Sequence, residues 1–304
     1  MTLDELTEMR RRKWHVDGNA VRTLDSAREF MESVGFCLLY PLHPPLLIPT
    51  FIGAFGGSDE GLPTWRQAFG DSRAGDATEL MVRLLRERSA YEANLFGETN
   101  FLIASSVFPY FYGLVGDRNP RQVPKPGVRS EYSPLARDIF EVIRTKGPIS
   151  KIRMRAVLRG EPSDAALDRA LGELWSRLRI TRVDYVPGEG AYWDALFRWS
   201  PDAVRQGIQL SVPEALSALI SKYLDAVVAA EMSEIEEFFS HLVSRSRVRD
   251  SINALLSARE YTLVHVDNRA MVEITQHAEA VAPARSVPIV PREKRRRLQA
   301  QPKQ

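Results

Sequence analysis

Residues 133–200 limit the fold of this chain more than any other stretch. Leu135, Ile139, Val142 and Ile143 recur at helical spacing until Lys146-Gly147-Pro148 interrupts them. A second short helix is predicted over 149–158. After the turn Arg159-Gly160-Glu161-Pro162 a longer helix opens at Ser163, with Asp164 in its first turn, where a carboxylate suits the exposed amides. Leu167, Leu171, Leu174 and Leu178 fall on one side of it. Two strand-like runs, 180–185 and 192–199, then flank Pro187-Gly188-Glu189-Gly190. Helix, helix, helix, hairpin is the order of a winged helix-turn-helix, whose third helix enters the major groove while the wing lies along the backbone. Double-stranded DNA is therefore the partner this stretch predicts.

The same order recurs nearer the C-terminus. Helices are predicted over 213–230, 233–239 and 246–259, followed by a hairpin over 261–275 whose Asp267-Asn268 turn suits type I′ geometry. Upstream, a helix over 3–13 ends in Arg10-Arg11-Arg12-Lys13. A second carries Ala27, Phe30, Met31 and Val34, with Gly35 as its C-cap. Residues 36–40 form an apolar run of strand length, ended by Pro41-Leu42-His43-Pro44-Pro45. The glycine-rich 53–61 reads as a loop, since no lysine and hydroxyl residue follow at phosphate-loop spacing. Leu80, Leu84, Tyr91 and Leu95 predict one helix over 76–96, and a shorter helix is expected over 106–115. Pro120, Pro124, Pro126 and Gly127 then mark a connector. The expected fold is mainly α with small β-hairpins and a small β-barrel or sheet (α+β), built on tandem winged helix-turn-helix modules. The expected division is an N-terminal helical or winged-helix-like domain 1–115, a linker 116–131, a winged helix 132–200, a second such module 201–275, and a disordered basic tail 276–304.

Charge divides these parts. The chain of 304 residues carries a formal +2, but its last 29 residues alone carry +5, leaving the body at −3. Overall charge is thus a poor guide to nucleic-acid binding, and local charge a better one. Residues 144–182 hold ten basic and four acidic side chains, a local +6, whereas 212–275 are at −4. The first module is thus the one suited to phosphates. Arg169, Glu173, Ser176 and Arg177 lie opposite or beside the leucines of its third helix, where arginine fits a guanine edge and serine meets a base or phosphate. Lys151, Arg153 and Arg155 on the second helix suit phosphate positioning, and Arg182 opens the wing. The alternative is a set of solvated charges on ordinary helices. Trp175, Trp193 and Trp199 are expected in the small core beneath the wing. The tail run 292–297 reads equally as a phosphate-binding arm or a solubilising end.

Other chemistry has little support. No apolar run approaches the roughly 18 residues a membrane span needs, and 1–14 lack a signal-peptide core, so a cytoplasmic protein is expected. The lone Cys37 lies in an apolar run and excludes an internal disulfide. His15, His43, His241, His265 and His277 show no metal-ligand spacing, so neither metal nor cofactor is expected. Glu231, Glu234, Glu236 and Glu237 read as a solvated helix face.

Three segments together carry a family resemblance: Arg88-Ser89-Ala90-Tyr91-Glu92, Ser105-Ser106-Val107-Phe108-Pro109, and Gly147-Pro148-Ile149-Ser150 leading into the winged helix. Over about residues 20–275 the chain resembles the AlkZ/YcaQ-like proteins, bacterial DNA glycosylases that act on crosslinked and bulky alkylated bases. The resemblance implies tandem winged helices around a β-barrel. It also implies a Gln-x-Gln or Gln-x-Asp pair on a strand after an early helix and glycine, holding the hydrolytic water. At the corresponding place, 34–40, Leu38 and Tyr40 stand where the polar pair should be. A leucine cannot hold or activate water, so the chain reads as a DNA-binding relative rather than a hydrolase. Glu92 and Asn94, expected on one helix two positions apart, are the polar candidates for a surviving glycosylase. Glu92 would act there as a general base, or else pair with Arg86 or Arg88, the reading favoured here. A transcription regulator or interaction scaffold is the remaining class.

Overall fold

The computed structural model describes residues 1–97, 100–125 and 132–275. In chain order it contains α1 (Leu3–Lys13), α2 (Leu24–Val34), β1 (Phe36–Leu38), α3 (Phe51–Gly56), α4 (Ser72–Arg86), β2 (Ala90–Ala93), β3 (Phe101–Ala104) and α5 (Phe108–Val115). Then come α6 (Pro134–Lys146), β4 (Ile149–Ser150), α7 (Lys151–Val157), α8 (Asp164–Trp175), β5 (Ile180–Val186), β6 (Gly190–Ala195), α9 (Leu196–Trp199) and α10 (Pro201–Gln209). The last described part holds α11 (Val212–Val227), β7 (Ala229–Ala230), α12 (Met232–Phe239), α13 (Arg245–Ser257), β8 (Tyr261–Val266) and β9 (Arg269–Ile274). The fold is α+β: many helices with small antiparallel sheets.

One topology occurs three times. The sheets have strand orders β1-β3-β2, β4-β6-β5 and β7-β9-β8, so in each a short first strand pairs with the last strand of its unit. All pairings within these sheets are antiparallel. The helix starts are written locally: Thr23, Ser133, Ser163 and Ser211 each accept a hydrogen bond from the first turn they precede, satisfying an amide without an intrahelical partner. Gly35, at φ +78°, ends α2 as the sequence predicts.

The first unit departs from its sequence reading. The helix expected over 76–96 ends at Arg86, Arg88 takes a left-handed φ of +60°, and the chain continues as β2. Tyr91 and Leu95 keep the helical spacing of Leu80 and Leu84 by coincidence. β2 is buried along its whole length against β3, so it has no polar alternation to betray a strand. The glycine-rich 53–61 begins inside a helix, because Thr50 caps α3 and Phe51, Ile52 and Phe55 are buried. At the β8–β9 turn only Asp267 has positive φ among the described non-glycine residues there, which excludes type I′.

A single core joins the first and third units. Phe36 stacks on Phe238 at 5.6 Å between ring centroids, and Phe101 meets Phe111 edge-on at 5.3 Å. The second unit has its own cluster of Ile139, Phe140, Ile143, Leu167, Leu171, Leu174, Trp175 and Trp193. Helices α5 and α10 approach closely, since a Cβ built on Gly207 would lie 2.7 Å from the Pro109 carbonyl oxygen and 2.7 Å from Tyr112 Cβ. α1 is fastened to the third unit: Arg10 donates to the Val227 and Ala229 carbonyls at 2.9 and 2.6 Å, and Lys13 pairs with Asp225 at 2.6 Å. The basic end of α1 is therefore spent on internal contacts. The predicted tail, with His277, lies outside the described residues, as do residues 126–131 of the connector.

Candidate nucleic-acid interface and the Glu92 junction

The second unit arranges its basic residues in two ways. On α7, Lys151 Nζ lies 2.8 Å from Asp168 and Arg153 Nη2 lies 2.7 Å from Glu189, while Arg155 pairs with Asp164. These partners come from α8 and from the β5–β6 turn, so the three cations form a bridged belt joining α7 to both. Glu189 is held below the usual carboxylate range by Arg153 first, with Tyr192 and Ser150 adding hydrogen bonds. Beyond the belt, Arg169 on α8 and Ser176 and Arg177 at its C-terminal end are exposed. Ser176 Oγ donates to the Glu173 carbonyl at 3.2 Å.

Other predicted contact residues face inward. Glu173 accepts from the Ser133 amide at 2.7 Å, which ties α8 to the start of α6. Arg179, counted in the basic patch from the sequence, is only 3% exposed. It donates to Asp117, to Tyr132 at 3.2 Å and to the Gln122 carbonyl at 2.7 Å, fixing the connector. Trp175 and Trp193 do meet edge-on at 4.9 Å in the core of the second unit. Trp199 lies elsewhere, its ring 4.3 Å from the Arg88 guanidinium.

Arg182 and Glu92 meet at the seam between the first two units. Glu92 is on strand β2, not on a helix, and is 1% exposed. Its Oε1 accepts from Arg182 Nη1 at 3.1 Å, and its Oε2 has no hydrogen-bond partner. The expected pairing with Arg86 or Arg88 does not occur, because Arg86 bonds Asp184 at 2.6 Å and Arg88 stacks on Trp199. The Arg182 guanidinium carbon lies 4.4 Å from the Trp175 ring centroid and 5.0 Å from that of Trp193. The backbone carbonyl of Glu92 also accepts from Trp175 Nε1 at 2.9 Å and Thr181 Oγ1 at 3.0 Å. Burial pushes the Glu92 carboxyl above its ordinary value, and Arg182 and Asn100 pull it partly back.

The remaining candidates lie close to this seam. Leu38 is buried in β1 opposite Phe101. Tyr40 is buried just beyond it, with its hydroxyl 3.4 Å from Thr78 Oγ1. Thr78 gives its own proton to the Ala74 carbonyl at 2.7 Å, so the Tyr40 hydroxyl is the donor in that pair. Burial raises the Tyr40 phenol, and the charges of Asp71 and Glu92 add to the shift. Asn94 follows β2 and is half-buried, facing Gly172 of α8. Among the described residues no three His, Cys, Asp or Glu side chains converge to hold a metal ion. No described helix is long and apolar enough to cross a membrane.

Counting back from the turn at 187–190 would set Val183 opposite Trp193; an irregularity in the β5–β6 ladder between Arg182 and Asp184 brings Arg182 there instead. Nothing local pointed to Thr78, to Asn100 or to the packing of Arg182 against Trp175 and Trp193.

Comparison with known proteins gives two matches. The sequence fits the family model described as AlkZ related over residues 21–240. In three dimensions the chain is similar to the Streptomyces sahachiroi DNA glycosylase AlkZ, with a TM-score of 0.61 and 16% sequence identity. That similarity covers 93% of this chain and 72% of the other. No curated protein matches the sequence.

Proposed function

Because the chain belongs to the AlkZ-related family, we propose that it is a DNA-binding protein of DNA repair that grips duplex DNA through its second unit. In this reading the three repeated units are tandem winged helices, with 132–200 as the DNA-reading module and 201–275 as a packing module. The sequence-based division at 1–115, 116–131, 132–200 and 201–275 is retained, and the protein works in the bacterial cytoplasm.

The observation that carries the proposal is the belt on α7 beside the exposed Arg169 and Arg177. Exposed ion pairs are worth only about 0–1 kcal/mol each. Lys151, Arg153 and Arg155 can therefore exchange carboxylates for phosphates at small cost. Arg169, Ser176 and Arg177 would face the groove, with Glu173 orienting the helix from behind. Arg182 serves the same surface indirectly, as the clamp that sets the wing against the first unit.

The test is fluorescence anisotropy on a plain duplex across a salt series. Log affinity should fall linearly with log salt, as counterion release requires. Affinity insensitive to salt, or no retention of duplex, would favour an interaction scaffold.

A second reading, an active glycosylase, is favoured by one observation: Glu92 is a buried carboxylate with a raised pKa and one unpartnered oxygen. Its side chain has no solvent access, so catalysis would need the seam with β5 to open. Incubation with alkylated and crosslinked duplexes, followed by alkali to cleave abasic products, tests it. Product lost in Glu92→Gln would support that reading.

A further inference from the structure

Phe69 is 98% exposed, the most exposed large apolar side chain among the described residues. It sits on a single 3₁₀ turn, 68–70, in the loop between α3 and α4. That loop is built to hold its shape. The Thr64 carbonyl accepts from the amides of Gln67 and Ala68 at 3.0 Å each, and Gln67 Oε1 accepts from the Thr64 amide and hydroxyl at 2.9 Å each. Asp71 caps α4, accepting from the Arg73 amide at 2.8 Å, and Arg73 reaches back to the Gly61 carbonyl at 3.1 Å. The ring is thus held in water by a hydrogen-bonded frame rather than left on a slack segment.

The surroundings of Phe69 narrow its partner. Trp65, 41% exposed, lies four residues earlier, with the Arg66 guanidinium 5.5 Å from its ring centroid. From residue 62 to residue 70, Arg66 is the only charged side chain. Next to Phe69 the exposed residues are Gln67 and Gly70, so the ring is a narrow projection and not the centre of a broad apolar patch. Protein interfaces bury anchors within wide surrounding contacts. A lone protruding apolar side chain beside a cation instead suits insertion between base steps, with phosphate close by. The loop that bears Phe69 leads into α4, which carries the Thr78 that meets Tyr40, and the Asp71 charge acts on the Tyr40 phenol.

We propose that Phe69, supported by Trp65, is a wedge that enters the base stack of bound DNA. The proposal rests on the DNA-binding reading above. Wedge and stack form no covalent bond: the ring replaces a base–base contact that binding has opened.

A duplex carrying 2-aminopurine reports unstacking by a rise in fluorescence, and anisotropy on the same sample reports binding. The wild-type protein should bind and raise the 2-aminopurine signal by roughly twofold or more. Phe69→Ala should keep the wild-type thermal unfolding and salt slope, hold affinity within about threefold, and lose the rise; Phe69→Trp should retain it. Binding by wild type without a rise, or an undiminished rise with Phe69→Ala, overturns the wedge while leaving DNA binding standing. Failure of wild type to bind any duplex removes both. Self-association of wild type that Phe69→Ala abolishes, seen by sedimentation, assigns the ring to a second copy and also overturns the wedge.

Discussion

Arg182 Nη1 lies 3.1 Å from Glu92 Oε1, across ninety positions of sequence, and this contact fastens strand β5 of the second unit to the buried sheet of the first. The guanidinium packs against two tryptophan rings that themselves meet edge-on, and its partner carboxylate is out of contact with water.

Removing the cation should expose the cost of that burial. Arg182→Ala leaves the Glu92 carboxylate without its counter-charge and removes the guanidinium packed against Trp175 and Trp193. Breaking a buried pair typically costs about 3–5 kcal/mol. Arg182 is about one-third exposed, so a loss of about 2–3 kcal/mol is expected here. Arg182→Ala combined with Glu92→Gln should regain part of it. Urea unfolding of the two single variants and the double variant measures the coupling, and simple additivity would mean the pair is not linked.

The pH dependence of stability follows from the direction of the Glu92 shift. Burial raises this carboxyl in the folded state, opposed by Arg182 and Asn100. The folded chain therefore holds the proton more tightly than the unfolded chain, and stability falls as pH rises from about 4.3 through the raised folded value. Glu92→Gln cannot ionise, so the difference in stability should move in its favour as pH rises across that window. Urea midpoints recorded at intervals across it decide the matter, with parallel curves counting against a buried ionising Glu92.

The ion-pair belt should restrain DNA affinity. Glu189→Gln releases Arg153 and Asp164→Asn releases Arg155, so each should tighten duplex binding a few-fold at low salt. Arg153→Ala with Arg155→Ala should weaken binding similarly for all sequences and lower the salt slope by about two, one for each lost phosphate contact. Equal slopes for wild type and the double variant would move the surface away from α7.

Gly207→Ala tests the contact between α5 and α10. The added methyl would meet the Pro109 carbonyl and Tyr112 Cβ at 2.7 Å. Overpacking of this kind costs about 1–3 kcal/mol, and it opposes the gain of about 1 kcal/mol that alanine brings to an open helix position. A drop in thermal midpoint is expected; a rise would show that α10 shifts freely on α5.

What the sequence determined by itself was local. Capping residues at Thr23, Ser133 and Ser163, the stop at Gly147-Pro148, and the hairpins around 187–190 and 267–268 act within a few residues, so their structures could be read in order. Two of the three repeated units were legible for that reason. The third was hidden because β2 is buried on both faces and happens to continue the spacing of α4. The candidate site was less legible still. Leu38 and Tyr40 could be placed by resemblance, but the buried state of Glu92 and its pairing with Arg182 could not. Nor could the inward turn of Glu173 and Arg179, or the frame that holds Phe69 outward. Each depends on which surfaces of distant elements are pressed together. Only tertiary packing decides that, because burial and charge pairing are properties of neighbours in space rather than in sequence.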